Sequence, residues 1–250
     1  MTDASTLRVL QVTDCHVSAR AGTDYRGLDA RLEFERLLPA AHDWAPDLVL
    51  LTGDVAEDGS AEACAWVAER LVGLGVPVLA TPGNHDLDAV IAAQFPLSAT
   101  ASPLVHDRGD WRLVLLNSAR PGKIDGHLGD DDLQTLAGAL DEWTGHALVA
   151  LHHQPLDVGS PWIDRYPLQA PENLWRVLDG SCCRVVCWGH VHQAFEARVG
   201  QVRALSGPST AANSLPGREK FTLDPAGPAC RGLVLRRDGA VESEILRAGT

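Results

Sequence analysis

Residues 76–86 read V-P-V-L-A-T-P-G-N-H-D, and this stretch decides how the chain is to be read. An apolar run ends, and Asn84, His85 and Asp86 follow at once. A plain turn needs no such trio, since each of these side chains can ligate a metal or handle a proton. The same arrangement recurs outward along the chain. Leu7–Val12 runs into T-D-C-H, Leu48–Leu51 into T-G-D, Leu113–Leu116 into N-S, Ala147–Leu151 into H-H, and Val185–Trp188 into G-H-V-H. These runs are short and rich in Val and Leu, as expected of strands buried on both faces.

Helical patterns lie between the runs. Leu28–Trp44 carries one, and Pro39 is expected to kink or end it. Ser60 is expected to cap a helix through Leu71 that stops at Gly73 and Gly75. Leu133, Leu136 and Leu140 mark one face of a third helix. Pro171 opens a fourth, with Leu174, Val177 and Leu178 inward and Gly180 as its stop. Alternation of strand and helix to about residue 190 predicts an α/β layered fold. Beyond it, Ala194–Val199 with Val202–Leu205, and Gly232–Arg236 with Ala240–Leu246, read as hairpins. Ser206–Cys230, rich in Pro, Gly and Ser, is too long for an idle connection, so it is either mobile or functional. The expectation is one domain over 1–250.

The chain has 250 residues, 45 % of them hydrophobic and 22 % charged, which suits a single sizeable core. A net charge of −12 without a Lys/Arg cluster argues against nucleic-acid binding and against attraction to anionic lipid. No apolar run approaches the length of a membrane span, and the N-terminal residues show no leader pattern. The protein is expected in the cytoplasm, with Cys15, Cys64, Cys182, Cys183, Cys187 and Cys230 as reduced thiols.

In open α/β sheets, ligands bind beyond the carboxyl ends of the strands. Five predicted strands deliver Asp14 and His16, Asp54, Asn84 and His85, His152 and His153, and His190 and His192 to one such edge. Each motif alone is weak. The ordered set D-x-H, G-D, G-N-H-D, H-H, G-H-x-H, always after an apolar run, is specific, and it resembles the calcineurin-like metallophosphoesterases over about residues 7–210. The resemblance implies a four-layer α/β/β/α sandwich, two mixed sheets flanked by helices, with a two-metal site at the strand ends. Asp54 is then the bridge, since one carboxylate can face two cations. Asp14, His16 and His192 complete one metal, and Asn84, His152 and His190 the other. Either His152 or His153 could be the ligand on spacing, and the family pattern favours His152. Mixed oxygen and nitrogen donors without thiolate suit Fe, Mn, Zn or Co. His85 is expected to face the substrate and protonate the leaving alkoxide or stabilise the phosphoryl transition state, with Asp86 holding its tautomer. Asn84, His85 and His192 are expected to touch substrate.

Within the family, protein phosphatases carry G-D-x-V-D-R-G and G-N-H-E, whereas this chain reads G-D-V-A-E-D-G and G-N-H-D. L-L-T-G-D-V-A-E-D-G-S at 50–60, L-H-H-Q-P-L at 151–156, C-W-G-H-V-H-Q at 187–193, G-P-S-T at 207–210 and F-T-L-D-P-A-G-P at 221–228 resemble bacterial class III cyclic nucleotide phosphodiesterases. That resemblance implies hydrolysis of 3′,5′-cyclic AMP to 5′-AMP by a metal-bound hydroxide, with residues 206–250 folding over or beside the site. The partner is then a small phosphodiester, neither nucleic acid nor membrane, and a homodimer stays compatible. Glycerophosphodiesters are the alternative substrate, and a non-catalytic scaffold of the same fold the remote one. Aromatic residues are only 5 % of the chain, and Trp162, Trp111 and Phe221 are the candidates for stacking on a base.

Overall fold

The computed structural model describes residues 6–101 and 103–249. In chain order its elements are β1 Thr6–Val12, β2 Asp24–Tyr25, β3 Leu28–Asp29, α1 Ala30–Asp43, β4 Leu48–Thr52, α2 Ala61–Val72, β5 Val78–Thr81, α3 Asp88–Gln94, β6 Leu104–Arg108 and β7 Trp111–Leu115. There follow α4 Asp130–Asp141, β8 His146–Ala150, α5 Pro161–Asp164, α6 Pro171–Leu178, β9 Cys183–Trp188, β10 Phe195–Val199, β11 Val202–Ser206, β12 Ala229–Arg236 and β13 Val241–Arg247. One sheet runs β13-β12-β1-β4-β5 and the other β10-β11-β9-β8-β7-β6. Parallel pairing joins β1, β4 and β5 in the first, and β7, β8, β9 and β11 in the second.

The apolar runs are continuous because each strand serves two cores. Val9, Leu48, Leu50, Leu148, Ala150, Val185 and Cys187 fill the layer between the sheets. Their neighbours Leu10, Val49 and Leu51 face outward onto Phe34 and Leu37 of α1, Val67 and Leu71 of α2, and Ile91 of α3. On the other side Val149, Val186 and Trp188 meet Leu133, Leu136 and Leu140 of α4 and Leu174 and Leu178 of α6. Side chains alternate across a strand, so a strand packed on both faces is apolar at every position. Each fully buried Leu or Val contributes about 1.5–3 kcal/mol of transfer free energy. The result is the expected α/β/β/α sandwich of two mixed sheets.

Some expectations need correction. α1 runs through Pro39 without ending. Pro39 is exposed, so water can reach the carbonyl that its ring deprives of a donor. Ser60 precedes α2 but makes no side-chain cap bond; instead its own N–H donates to Asp58 Oδ1. The spacing analysis misses β6, an edge strand with a ragged burial pattern, and α3, where Ile91 alone is buried. Ser206–Cys230 divides in two: residues 206–214 are buried, and residues 216–220 are exposed.

Candidate metal centre

The turns after β1, β4 and β9 are unusually sharp. Asp14, His16, Asp54, His190 and His192 have φ of 51°, 45°, 52°, 67° and 49°. Eight non-glycine residues have positive φ among the described residues, and these five are the predicted ligands among them. The left-handed region costs an L-residue about 1–2 kcal/mol, so such a set persists only where the surroundings hold it. Backbone bonds do so: Asp14 N–H donates to Gly53 O at 3.0 Å, His16 N–H to Asp54 O at 3.0 Å, and Gly189 N–H to His152 O at 3.0 Å. Glycine is required for space at two points. A Cβ on Gly83 would sit 2.2 Å from Asp54 Oδ1, and one on Gly189 would sit 2.1 Å from the Thr13 hydroxyl.

The loop tips bring the seven predicted ligands together. His192 Nε2 lies 3.3 Å from Asp14 Oδ1 and 3.1 Å from His16 Nε2. Asp54 Oδ2 lies 3.6 Å from His16 Nε2 on one side and 3.3 Å from His152 Nε2 on the other. Asn84 Oδ1 is 3.2 Å from His152 Nε2, and the His190 ring is centred 5.0 Å from that of His152. Asp54 Oδ1 is held apart from this traffic by the His85 N–H at 2.9 Å, and the Asp14 carboxylate accepts the His190 N–H at 3.0 Å.

The tautomers decide what the cluster can hold. His16 Nδ1 faces Glu57 Oε2 at 2.6 Å, His192 Nδ1 faces Ala212 O at 2.7 Å, and His152 Nδ1 faces Thr52 O at 2.7 Å. His190 Nε2 faces Tyr166 O at 3.1 Å. Those oxygens only accept, so each of these nitrogens carries its proton, and the other ring nitrogen of the neutral imidazole offers a lone pair. Four imidazole lone pairs, two carboxylates and an amide oxygen then converge with no donor among them. Such a set repels itself unless positive charge sits inside it, and its nitrogen and oxygen donors fit divalent or trivalent metal.

The titration behaviour shows the same pressure. Burial pushes Asp54 up, but His152 and His16 outweigh it and hold its carboxyl well below the usual range. Asp14 is likewise lowered, burial being overcome by His192 and His152. Burial pulls His152 down, yet Asp54 and Asp14 hold it up to about 9. Burial and the neighbouring His152 push His190 down to about 3.

His85 borders the same cleft, a hollow of about 250 Å³ also lined by Asn84, Trp162 and Tyr166. Its Nδ1 lies 2.7 Å from Glu57 O, which leaves Nε2 as the available nitrogen. Burial pulls His85 down, but Asp54 and the Glu57 carbonyl raise it above its ordinary value. Asp86 does not hold the His85 tautomer. Its oxygens accept the N–H groups of Gly83 at 2.9 Å, Val55 at 2.9 Å and Ala56 at 3.2 Å, fastening the 83–86 turn to the turn after β4. The orienting residue is Glu57, whose carboxylate takes His16 and whose carbonyl takes His85. The sequence signal for it was only its place three residues after Asp54.

His153 has Nδ1 2.9 Å from Ser118 Oγ and Nε2 3.0 Å from Ile124 O, so both its ring nitrogens are occupied. Trp111 is no stacking partner. It is buried at the start of β7, its indole N–H donating to Arg236 O at 2.9 Å. Trp162 borders the cleft, and Phe221 lies against it with ring centres 5.3 Å apart. His42 on α1, His106 on β6 and His146 at the entry to β8 lie off the site edge. Residues 206–214 brace the site from behind: Ser209 Oγ donates to Asp14 O at 2.8 Å, and Ser214 N–H to His192 O at 2.8 Å.

Compared with known proteins, residues 7–194 match the family model of the calcineurin-like phosphoesterases. The chain belongs to that family. This calcineurin-like phosphoesterase is 37 % identical, over 98 % of its length and 91 % of the relative's, to the 3′,5′-cyclic adenosine monophosphate phosphodiesterase CpdA of Pseudomonas aeruginosa. It is 32 % identical to the CpdA of Escherichia coli K12, covering 96 % and 90 % of the two chains. Among solved structures, a dimetal phosphatase from Danio rerio superposes with a TM-score of 0.72 at 14 % identity, covering 98 % of this chain and 100 % of that one, which speaks for the fold alone. No helix among the described residues is long and apolar enough to cross a membrane.

Proposed function

We propose that this calcineurin-like phosphoesterase hydrolyses 3′,5′-cyclic nucleotides, cyclic AMP among them, to 5′-nucleoside monophosphates. The observation that carries the reading is the ring of lone pairs that opens onto the cleft beside His85. Names carried by relatives at 37 % and 32 % identity support the substrate. Asp14, His16 and His192 would hold one cation, Asn84, His152 and His190 a second, and Asp54 would serve both. His152 takes this role because both nitrogens of His153 are engaged. When bound, the two cations supply positive charge against the phosphoryl oxygens and lower the pKa of water. Fe, Mn, Zn and Co all suit the donors.

The chain's own residues supply the rest. Asn84 and His192 flank the place of the phosphate, and Glu57 fixes the His85 ring with Nε2 toward the cleft. Asp54 and the Glu57 carbonyl hold His85 above its ordinary value, which favours the protonated ring that a general acid needs. Water adds to phosphorus, the P–O3′ bond breaks, and His85 Nε2 delivers a proton to the departing 3′-oxygen. The product keeps its phosphate on the 5′-oxygen. We take residues 1–250 as one functional unit, with 206–250 beside the site, and the cytoplasm as its place, in keeping with six free cysteines.

The test is turnover of cyclic AMP, cyclic GMP and glycerophosphocholine by protein loaded with Mn(II), with products separated by chromatography. We expect 5′-AMP from cyclic AMP, abolished by EDTA. Cleavage of glycerophosphocholine with neither cyclic nucleotide touched would overturn the reading.

A further inference from the structure

The cleft has a wall that the hydrolysis just described does not use. β2 and β3 form a hairpin that pairs Tyr25 with Leu28 through the turn Arg26-Gly27. Both turn residues are left-handed, with φ of 54° and 86°, as a two-residue hairpin turn demands. Arg is an unusual choice there, since Asn or Gly meets that demand with less strain. The turn delivers Arg26 to the mouth of the cleft, where its guanidinium lies 3.9 Å from the centre of the Phe221 ring and 5.9 Å from that of Trp162. Its Nε donates to the Tyr25 hydroxyl at 3.2 Å. Tyr25 in turn lies flat on His16, with ring centres 4.5 Å apart and planes 12° from parallel. Phe221 and Trp162 stand edge-on to His192 at 6.0 and 6.1 Å. Arg26 is thus one ring removed from two ligand imidazoles.

Among the described residues no carboxylate lies within ion-pair distance of Arg26, and no other Lys or Arg lines this cleft. In a chain of net charge −12, an arginine held among aromatic rings without an acidic partner is free to meet a ligand. A guanidinium is planar and weakly hydrated, so it stacks on π-faces while its N–H edge stays free. One face of Arg26 covers Phe221. Arg26 is exposed as a residue, with the Tyr25 ring centre 5.5 Å from its guanidinium on the hairpin side, so solvent and a ligand can reach it.

We propose that Arg26 is a specificity residue that takes the nucleobase as a third layer on the Phe221–guanidinium stack, with Trp162 as the side wall. This rests on the cyclic-nucleotide reading above. A purine overlaps the guanidinium more fully than a pyrimidine, so the site prefers cyclic AMP and cyclic GMP to cyclic CMP. A phosphoester without a base gains nothing from Arg26.

The test uses Arg26→Asn, which accepts the left-handed turn, and Arg26→Lys, which keeps the charge and loses the plane. Both are measured for cyclic AMP turnover, and for inhibition of bis(p-nitrophenyl) phosphate hydrolysis by 5′-AMP and by ribose 5-phosphate. We expect both substitutions to raise KM for cyclic AMP and the inhibition constant of 5′-AMP about tenfold, as loss of one base stack does, with kcat within about twofold and ribose 5-phosphate unaffected. Wild-type behaviour of Arg26→Lys would show simple charge attraction and overturn the assignment. So would a rise for ribose 5-phosphate that matches the rise for 5′-AMP. Because the inhibition is read on an aryl diester, the stacking role stands or falls even if wild-type protein leaves cyclic nucleotides intact, an outcome that would sink only the substrate reading.

Discussion

One half of the metal centre gathers Asp14, His16 and His192, the other Asn84, His152 and His190, with the Asp54 carboxylate between them. The first half owns a carboxylate, and its His16 is backed by a second, Glu57, at 2.6 Å. The second half has no carboxylate besides the shared Asp54, and its imidazoles are backed by the backbone carbonyls of Thr52 and Tyr166. A carboxylate behind an imidazole raises its basicity more than a carbonyl does. If each half takes a cation, the first is expected to hold it the more tightly, and the substitutions below test that difference.

Substituting the shared group tests the comparison most severely. Asp54→Asn removes the charge common to both halves, and we expect both metals to weaken and turnover to fall by a factor on the order of 10³ or more. Metal content by mass spectrometry and cyclic AMP turnover check it; two retained metals would deny the bridge. His85→Ala should leave both halves filled and still lower kcat by about 10²–10⁴. Loss of metal in that variant would turn His85 from proton donor to structural prop.

Two milder changes separate the halves. Asn84→Ala should leave about one metal per chain, with the fold intact by circular dichroism. Glu57→Gln should instead weaken the first half about 10–100-fold, as loss of a residue behind a ligand does. If both variants shed the same metal, the division is wrong.

Acidity gives the finest probe. His152 sits at about 9 in the metal-free protein, above the ordinary 6.5, so it is protonated at neutral pH, and a cation entering the second half must displace that proton. Affinity there should rise about tenfold per pH unit up to about 9 and then level. His16 in the first half is held below its ordinary value by burial, so it is expected to release less proton than His152 when a cation binds. Calorimetry in buffers of different ionisation enthalpy counts the proton; equal release from both halves would contradict the difference.

Much of this was legible in the residues. Apolar runs gave the strands because both faces are packed, and the polar cluster after each run gave the ligands. What stayed hidden depends on contact across the chain. Asp86 looks like a partner for its neighbour His85, but adjacent side chains diverge, and its oxygens go to the backbone of residues 55, 56 and 83. Glu57 is unremarkable in sequence and matters because the turn after β4 folds it between two imidazoles. Spacing leaves His152 and His153 open and the family pattern favours His152; the structure adds that Ser118 and Ile124 engage both ring nitrogens of His153. Of the two outcomes expected at Pro39, a kink or an end, the helix does not end there, since an exposed carbonyl can turn to water.

β1, from which the first ligand hangs, lies between β4 and β12, and β12 begins only at Ala229. On a ribosome, then, the earliest ligands wait unsupported until the strand beside them and the 206–214 brace have been made. The site is therefore complete only once the C-terminal strands have joined the sheet.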